Sequence, residues 1–426
     1  MRAIDGTWAG GALLGLALLT FGLVRPADGS VPFFVLLALA AAGYLATLHR
    51  VANGLWPSGR ALIACAALAL AWRVPMLLAP PEPAADVRRY VWDAHLLRAG
   101  LSPYAVVPSD PAFAHLRTAE NWPLNNPDVP SPYPPGAQLF FLAATTVSES
   151  ARAIKVAALV CDALLALVVW RSLVAAGANP GWLLAYLWNP LVSLEVARHG
   201  HVDVAGALLV AFAAFALARG RALGGSVALA LSIAVKPLPI VLLPLLWRRV
   251  SRWHAVAGVT ALLTLYLPFW DRHSLPIGSV PDVIHRFRFN GLIFSAVASV
   301  ASPAAATGFA VPAGLAVAVW ARRRLSLASP QAWAWPTAAA LLCAPLVYPW
   351  YLVWLAPFLG ARQTMPLAIW TVSILSTYVV WRRVGVAWEV PAWALLVEYG
   401  AVLGAGLWVW RRRVTSPPSR CSIPPA

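Results

Sequence analysis

The chain has 426 residues, of which 60% are hydrophobic and only 11% are charged. A soluble domain carries about 25% charged residues, so an ordinary soluble enzyme is excluded. An intrinsically disordered chain is excluded as well, because such chains are poor in apolar residues. The formal net charge is +16, but the arginines lie at the ends of apolar runs, which indicates membrane topology rather than nucleic-acid binding. The composition therefore predicts a polytopic membrane protein.

Apolar runs predict the membrane helices, and we expect an all-α transmembrane helical bundle of about 11–14 helices. In chain order the candidate spans are 8–24, 31–48, 61–79, 152–170, 181–194, 204–218, 222–246, 255–269, 305–320, 331–347, 349–360, 364–380 and 393–410. Two weaker runs lie at 136–148 and 291–301. The run 136–148 is too short to span a bilayer and is predicted to be a partial or re-entrant helix.

Arginine-rich connections set the expected orientation, since cytoplasmic loops carry an excess of positive charge. The predicted cytoplasmic stretches are 49–60, 219–221, 248–252, 322–324 and 411–413. The connections 80–135 and 270–290 and the turn at 199–203 then lie on the outer face. The expected organisation is N-terminal membrane helices at 1–60, a membrane module with both outer loops at 61–410 and a cytoplasmic tail at 411–426.

The first outer loop contains the segment Asp86-Val-Arg-Arg-Tyr-Val-Trp-Asp93. On a helix of about 3.6 residues per turn, Asp86, Arg89, Tyr90 and Asp93 share one face. Arg89 is spaced to pair with either aspartate. A carboxylate beside a guanidinium stays ionised and oriented, as a general base requires. The alternative is a solvated amphipathic helix with ordinary ion pairs.

A second polar cluster, Glu195-Val-Ala-Arg-His-Gly-His-Val-Asp203, interrupts apolar sequence. Ionisable groups at membrane depth are costly and usually functional. Candidates for binding a sugar or a phosphate are therefore Glu195, Arg198, His199, His201 and Asp203. A metal site is one alternative, but no HExxH-type spacing supports it and we predict none. A helix-ending turn with interfacial charges is the other alternative.

Lys236 lies inside an apolar run and is followed by Pro237. A proline breaks the helix and can open a polar pocket, so a phosphate is a natural partner for this lysine. The alternative is a lysine that snorkels to the interface. Where the first outer loop re-enters the membrane, Tyr133 and Gln138 are candidates to face a polar ligand, although the neighbouring prolines by themselves predict only a rigid start to the next helix.

In the second outer loop, Arg288 and Asn290 flank a phenylalanine. This pattern is typical either of contact with lipid headgroups or of binding to a lipid phosphate, which arginine matches well. Trp350 lies in Pro345-Leu-Val-Tyr-Pro-Trp-Tyr351, a segment typical of a broken helix in an aromatic belt. The chain has no Walker A motif, glycine-rich dinucleotide loop or serine nucleophile elbow, so nucleotide-driven chemistry is not expected.

Together these segments resemble the membrane-embedded GT-C glycosyltransferases, and most of all the bacterial mannosyltransferases that use polyprenyl-phosphate mannose (glycosyltransferase family 87-like). The similar segments are 86–93, 100–104, 133–138, 188–190, 200–203, 236–237, 288–290 and 349–351, within 61–400. Arg88, Ala94-His95 and Tyr348 depart from the residues common in that family, where Tyr, Gly and His are usual.

The resemblance implies a many-helix fold with a catalytic cavity on the outer face of the cell membrane. It implies inverting transfer of a sugar, mannose above all, from a polyprenyl phosphate to a lipid-linked or glycan acceptor. The essential acid of the family maps to Asp86, with Asp93 as the second candidate. The expected donor-phosphate residues are Arg89, His201, Lys236 and Arg288. The expected substrate-binding residues are Tyr90, Tyr133, Gln138, Glu195, Asp203, Asn290 and Trp350. No cofactor, metal or nucleic-acid partner is expected.

Two other functions fit the same residues. A transporter or flippase of lipid-linked sugars would use the intramembrane charges as a binding site, but paired, repeat-related broken segments are not visible in the sequence. A GT-C enzyme that uses another polyprenyl-phosphate sugar, such as arabinose, is not distinguished from a mannosyltransferase by sequence alone.

Overall fold

The computed structural model describes residues 2–83, 85–270, 276–382 and 388–415. In these ranges the secondary structure is helical and contains no strand, and one isolated backbone bridge joins Phe289 to Leu346. The all-α class predicted from composition is therefore confirmed. Parts of the 270–290 connection (271–275) and of the C-terminal segment (416–426) lie outside the described residues.

The α-helices are α1 (Arg2–Val24), α2 (Val31–Ala52), α3 (Arg60–Leu78), α4 (Asp86–Arg98), α5 (Pro135–Ala144), α6 (Ala151–Ala175), α7 (Leu183–Leu187), α8 (Pro190–Val192), α9 (Asp203–Ala218), α10 (Ala222–Val235), α11 (Arg252–Tyr266), α12 (Val280–Arg286), α13 (Leu292–Val300), α14 (Pro303–Arg324), α15 (Gln331–Leu342), α16 (Met365–Ser373) and α17 (Ala392–Thr415). The tighter 3₁₀ segments are Pro111–Leu116, Pro180–Trp182, Leu238–Leu246, Leu267–Phe269, Pro349–Trp354, Ala356–Phe358, Arg362–Thr364 and Ile374–Arg382. One wide π-helical turn covers Ser193–Arg198.

Within the described residues, seven helices are long and apolar enough to cross a membrane, by length and composition. They are Gly6–Val24, Val31–Ala52, Arg60–Leu78, Ala151–Ala175, Pro303–Arg324, Arg362–Arg382 and Ala392–Arg411. Three further apolar helices, α5, α9 and α10, are shorter. The chain is therefore a multi-pass membrane protein, and several of the spans expected from hydropathy are divided into shorter pieces.

The run 222–246 shows why these spans divide. Helix α10 ends at Val235, Lys236 is extended with φ −159° and ψ 138°, and Leu238–Leu246 is a 3₁₀ segment. Pro237 has no N–H to continue the helix and disfavours a helical conformation at Lys236. The predicted break after Lys236 is thus present. Helix α5 is ten residues long, which agrees with the partial helix expected at 136–148.

Close packing of the first two helices rests on glycine. A Cβ atom added at Gly43 would lie 2.5 Å from the carbonyl oxygen of Gly10. Small residues let membrane helices approach each other closely, where dispersion contacts and not the hydrophobic effect hold them together. The glycine pair therefore fixes the packing of α1 against α2.

A fully buried ion pair joins the next helices. Arg73 of α3 lies 2.9 Å from Asp162 of α6, and both side chains are 0% exposed. Tyr186 of α7 donates a hydrogen bond to Asp162 at 2.6 Å. Charges at membrane depth are tolerated when they pair with one another, so this trio holds α3, α6 and α7 in register.

The 80–135 loop folds back onto the helices through its own apolar cluster. Val87 and Tyr90 of α4 pack with Phe141 of α5 and Ile154 of α6. Tyr90 stacks on Phe141 with 4.3 Å between the ring centroids. This packing brings the start of α4 to the turn before α9, so that segments more than a hundred residues apart meet.

Candidate active site

Asp86 is the first residue of α4, and its side chain is 14% exposed. The Asn125 amide donates to Oδ1, and the Tyr133 hydroxyl donates to Oδ2 at 3.3 Å. Burial raises the pKa of Asp86, while Asn125, the charge of Lys236 and Tyr133 act in the opposite direction. A carboxylate whose pKa is raised is a stronger base and is suited to accept a proton near neutral pH.

His201 lies between two carboxylates. Its Nδ1 is 3.8 Å from Asp86 Oδ2, and its Nε2 is 3.3 Å from Glu195 Oε2. The Tyr90 hydroxyl lies 3.5 Å from Nδ1. Glu195 is fully buried, and its Oε1 accepts a hydrogen bond from Tyr378 at 2.9 Å. The polar cluster predicted at 195–203 therefore meets the 80–135 loop at Asp86.

The wide turn at Ser193–Arg198 explains this placement. The turn ends in His199-Gly200-His201, where Gly200 has φ +73°, and the His201 N–H donates to the Glu195 carbonyl at 2.9 Å. Glycine adopts a positive φ without the steric cost that other residues incur. Wide turns of this kind occur often at functional sites, and here the turn brings His201 back to the side chain of Glu195.

Asp203 and Lys236 form an ion pair beside this cluster. Lys236 Nζ lies 2.7 Å from Asp203 Oδ1, and the Trp354 indole N–H donates to the same oxygen at 2.6 Å. A Cβ at Gly206 would overlap the Trp354 ring at 2.0 Å, so Gly206 makes room for this indole. Lys236 also lies 3.8 Å from the centroid of the Tyr351 ring.

A ladder of stacked rings joins His201 to the 270–290 connection. Trp350 stacks on His201 at 4.2 Å and on Tyr348 at 4.5 Å, and Phe289 lies 4.7 Å from Tyr348. We refer to His201, Trp350, Tyr348 and Phe289 as the aromatic ladder. Trp350 lies between two ring partners, so its contacts orient His201 and leave little of its faces for a sugar.

Residues in the C-terminal part of the chain hold Asn290 in place. Its amide donates to both carboxylate oxygens of Glu398 at 3.0 and 2.9 Å, and Tyr399 donates to its carbonyl at 2.9 Å. Trp370 donates to Glu398 at 2.6 Å. Asn290 has φ +56°, which asparagine tolerates better than most residues. Its contacts fix the loop that carries Arg288 and Phe289.

Asp93 and Gln138 form a separate, deeper cluster. Ser131 donates to Asp93 Oδ2 at 2.5 Å and Gln138 Nε2 donates to it at 2.9 Å, and both side chains are buried. Burial raises the pKa of Asp93 to about 6, and the positive charge of Arg89 acts in the opposite direction. These contacts hold the 131–138 segment, and thus Tyr133, against α4.

Arg89 differs from the expectation that it pairs with an aspartate. Its guanidinium donates to the carbonyls of Asn126 at 2.7 Å and of Val129 at 3.2 Å, and its side chain is buried. Arg89 thus ties the 125–129 loop to α4 and keeps Asn125 against Asp86. Arg288 is half-buried, lies 4.7 Å from the centroid of the Phe294 ring and donates to the carbonyl of Phe287.

The pH dependence of stability tests the environment of Asp93. A free Asp titrates near pH 4, so a folded pKa of about 6 means that the folded state holds this proton more tightly. The stability that this group contributes is fully present below about pH 4 and is lost as the pH rises through 6. We expect Asp93→Asn to reduce the fall in melting temperature between pH 4 and 7 in detergent.

The control for that measurement is Asp128→Asn, an exposed aspartate of the same loop. This variant should retain the wild-type slope. If Asp93→Asn and wild type have the same slope across this range, Asp93 is not a carboxyl of raised pKa.

Several residues around the site were not identified from the sequence. Asn125, Tyr378 and Glu398 contact predicted site residues. Asp28 is another: it lies 2.9 Å from Arg198, and burial raises its pKa to about 7. For Asp28, Tyr378 and Glu398 the only available signal was a polar residue in or next to an apolar run, and Asn125 gave no such signal. Among the described residues, no group of three or more His, Cys, Asp or Glu is arranged to hold a metal ion.

A family model described as alpha-(1->6)-mannopyranosyltransferase, N-terminal domain, matches residues 4–252. The matched part runs from α1 to the start of α11 and includes Asp86, His201, Asp203 and Lys236. Arg288 lies beyond the matched part, as do Phe289, Tyr348 and Trp350 of the aromatic ladder. No curated protein matches the chain.

Proposed function

The chain belongs to the alpha-(1->6)-mannopyranosyltransferase family, and from this premise we propose that it transfers mannose from a polyprenyl phosphate to a lipid-linked or glycan acceptor on the outer face of the membrane. As a member of that family it is a membrane α-mannosyltransferase. The family description further supports an α-(1→6) linkage in the product. Family membership also favours an enzyme over a transporter or flippase.

The observation that carries the mechanism is the surroundings of Asp86. This carboxylate is partly exposed, has a raised pKa and lies next to His201 and near the charge of Lys236. In the proposed step Asp86 Oδ2 takes the proton of the acceptor hydroxyl while the hydroxyl oxygen bonds to C1 of the mannose. The bond from C1 to the phosphate oxygen breaks, and the configuration at C1 inverts. A phosphate leaving group needs little protonation, so one base suffices.

The charges of the site support a narrower set of donor-phosphate residues than the sequence did. Lys236 is 20% exposed at its side chain and is available to a phosphate from its open side. Arg288 precedes Phe289, which is the end of the aromatic ladder farthest from His201. Arg89 uses its guanidinium on backbone carbonyls, and His201, unlike Lys236 and Arg288, is a residue type that is largely neutral at pH 7. We therefore propose Lys236 and Arg288 as the phosphate-binding pair.

The test of this function is transfer by purified protein in detergent or liposomes. Labelled polyprenyl-phosphate mannose, polyprenyl-phosphate arabinose and a nucleotide mannose are supplied in parallel with a panel of lipid and mannan acceptors. We expect label in the product only from polyprenyl-phosphate mannose, with an α-(1→6) bond by linkage analysis. Transfer only from the nucleotide sugar, or only of arabinose, would contradict the proposed donor.

Outer-face transfer gives a further prediction. Ser109 lies in the first outer loop, so Ser109→Cys should react with an impermeant thiol reagent in intact spheroplasts. Ser58 is exposed in the arginine-flanked connection at 49–60, so Ser58→Cys should react only after permeabilisation. The opposite pattern would reverse the topology. A second outer position, Ser274, lies outside the described residues.

A further inference from the structure

Three arginines converge where the Leu238–Leu246 segment meets the end of α14. Arg322, in the last turn of α14, donates from Nε to the carbonyl of Trp247 at 2.8 Å. Arg248 and Arg249 follow Trp247 directly, in a turn, and both are exposed. The hydrogen bond, which spans 75 residues of sequence, therefore brings a third guanidinium to this turn. We refer to Arg248, Arg249 and Arg322 as the arginine cluster.

No carboxylate balances these charges. The sequence contains no Asp or Glu between Asp203 and Asp271 or between Asp282 and Glu389, and both parts of the arginine cluster lie inside those stretches. Within the part of the chain that the structure describes, the three arginines form no ion pair. Like charges that are held together repel each other, so the arrangement favours anions that come from outside the chain.

A structural role accounts for only part of the arginine cluster. Arginines in the last turn of a helix interact favourably with its dipole, and this applies to Arg322. Arg248 and Arg249 lie in a turn instead. Arg248 also has φ +57°, which is costly for a residue with a Cβ atom and clusters at ligand-binding segments. Membrane topology explains positive charge on each connection, but it does not require two connections to bring their guanidinium groups together.

Exposed tryptophans indicate that the arginine cluster lies at the boundary of the membrane. Trp247 and Trp320 are 53% and 50% exposed, and tryptophan is enriched where lipid headgroups begin. The Arg248 guanidinium lies 5.4 Å from the centroid of the Trp247 ring. The segment Leu238–Leu246 separates the cluster from Lys236, and its nine residues span about 18 Å as a 3₁₀ helix. The cluster is therefore separate from the candidate active site.

From these observations we propose that the arginine cluster binds the headgroup phosphate of an anionic phospholipid. A guanidinium has a planar set of donors that fits two phosphate oxygens at once. The acyl chains lie along exposed apolar side chains of the same two segments, such as Leu243 and Trp320. Basic sites between membrane helices bind lipid headgroups in this way. In the predicted orientation the lipid belongs to the cytoplasmic leaflet.

The test titrates the purified protein in a neutral detergent with phosphatidylglycerol and follows the melting temperature, which a ligand of the folded state raises. Phosphatidylcholine, which has no net charge, is titrated in parallel. We expect phosphatidylglycerol to stabilise wild type, and phosphatidylcholine to do so much less. Arg248→Gln/Arg249→Gln/Arg322→Gln should raise the midpoint of the phosphatidylglycerol titration by at least about tenfold, because it removes charge-assisted hydrogen bonds to the phosphate.

A matched control variant removes the same charge elsewhere. Arg60, Arg152 and Arg171 are exposed arginines of α3 and α6, and Arg60→Gln/Arg152→Gln/Arg171→Gln should keep the wild-type midpoint. Inorganic phosphate and glycerol phosphate, which lack acyl chains, distinguish a lipid from a soluble ligand. We expect neither of them to stabilise wild type at the concentrations at which phosphatidylglycerol does.

Two further variants separate geometry from charge and from folding. Arg248→Lys/Arg249→Lys/Arg322→Lys should retain part of the lipid binding, because the charge is kept while the planar set of donors is lost. Arg248→Gln/Arg249→Gln leaves the contact of Arg322 with Trp247 in place. This double variant decides the question if the triple Gln variant does not fold, and its midpoint should also rise.

Three outcomes would overturn the proposal. An unchanged midpoint in the Gln variants of the arginine cluster would show that these arginines take no part in lipid binding. An equal loss of binding in the matched control would assign the effect to net charge. Equal stabilisation by inorganic phosphate would assign the cluster to a soluble anion. Sugar transfer is not measured in any of these titrations, so a failure of the proposed enzymatic function leaves their result unaffected.

Discussion

Asp86→Asn is expected to lower the rate of mannose transfer by about 10²–10⁴-fold, the usual effect of losing a positioned base. The amide keeps the size of the side chain and can still contact Tyr133, but it cannot take a proton. The protein should still fold and insert, because the substitution replaces only one carboxylate oxygen, by an NH₂ group of similar size. The measurement is kcat with labelled donor and acceptor, alongside a melting curve.

Asp128→Asn is the matched control for this variant, since Asp128 is an exposed aspartate of the same 80–135 loop. It should transfer mannose at the wild-type rate. Near-normal transfer by folded Asp86→Asn would remove Asp86 from the role of base, and Asp93 would then be tested in the same way.

Lys236→Met is expected to have the largest effect on stability. The substitution leaves Asp203 without its ionic partner at 2.7 Å, although the Trp354 N–H still donates to it. Breaking a buried pair by removing one partner typically costs about 3–5 kcal/mol, because the remaining charge is uncompensated. The double variant Lys236→Met/Asp203→Asn should recover much of the lost melting temperature, since no charge is left unpaired.

Ligand binding distinguishes the structural pair from the proposed phosphate role of Lys236. A ligand that binds only the folded state raises its melting temperature. We expect polyprenyl phosphate to stabilise wild type, and to stabilise the double variant less. Arg323→Met, a change of an exposed arginine in the last turn of α14, should retain the full shift. An equal shift in the double variant and in wild type would show that Lys236 takes no part in phosphate binding.

The membrane class followed from the sequence because it depends on amino-acid composition and on the lengths of apolar runs, which do not require knowledge of tertiary contacts. A charged fraction of 11% and runs of apolar residues require a helical protein in lipid, since a backbone in lipid must satisfy its hydrogen bonds internally. The break after Lys236 was also predictable, because Pro237 acts on its immediate neighbour. The short helix α5 followed from the length of its apolar run.

The assembly of the site depended on tertiary structure. The sequence singled out Asp86, Glu195, His201 and Lys236 separately, but it contained no information on which nitrogen of His201 faces which carboxylate. That geometry is set by the wide turn at Ser193–Arg198 and by the stacking of Trp350 on the ring. Both arise from packing between segments far apart in the chain.

Arg89 illustrates the limit of spacing arguments. Its position on α4 allowed an ion pair with Asp86 or Asp93, and the family resemblance implied a donor phosphate as a further partner. The fold instead supplied the carbonyls at Asn126 and Val129, which come from a loop about forty residues further along the chain. Helical periodicity fixes the face on which a side chain lies, whereas its partner is fixed by what packs against that face. For the same reason, Asp86 and Asp93 have different surroundings although they share one face of α4. Ser131 and Gln138 pack against Asp93 and hydrogen-bond to it, whereas Asp86 is more exposed.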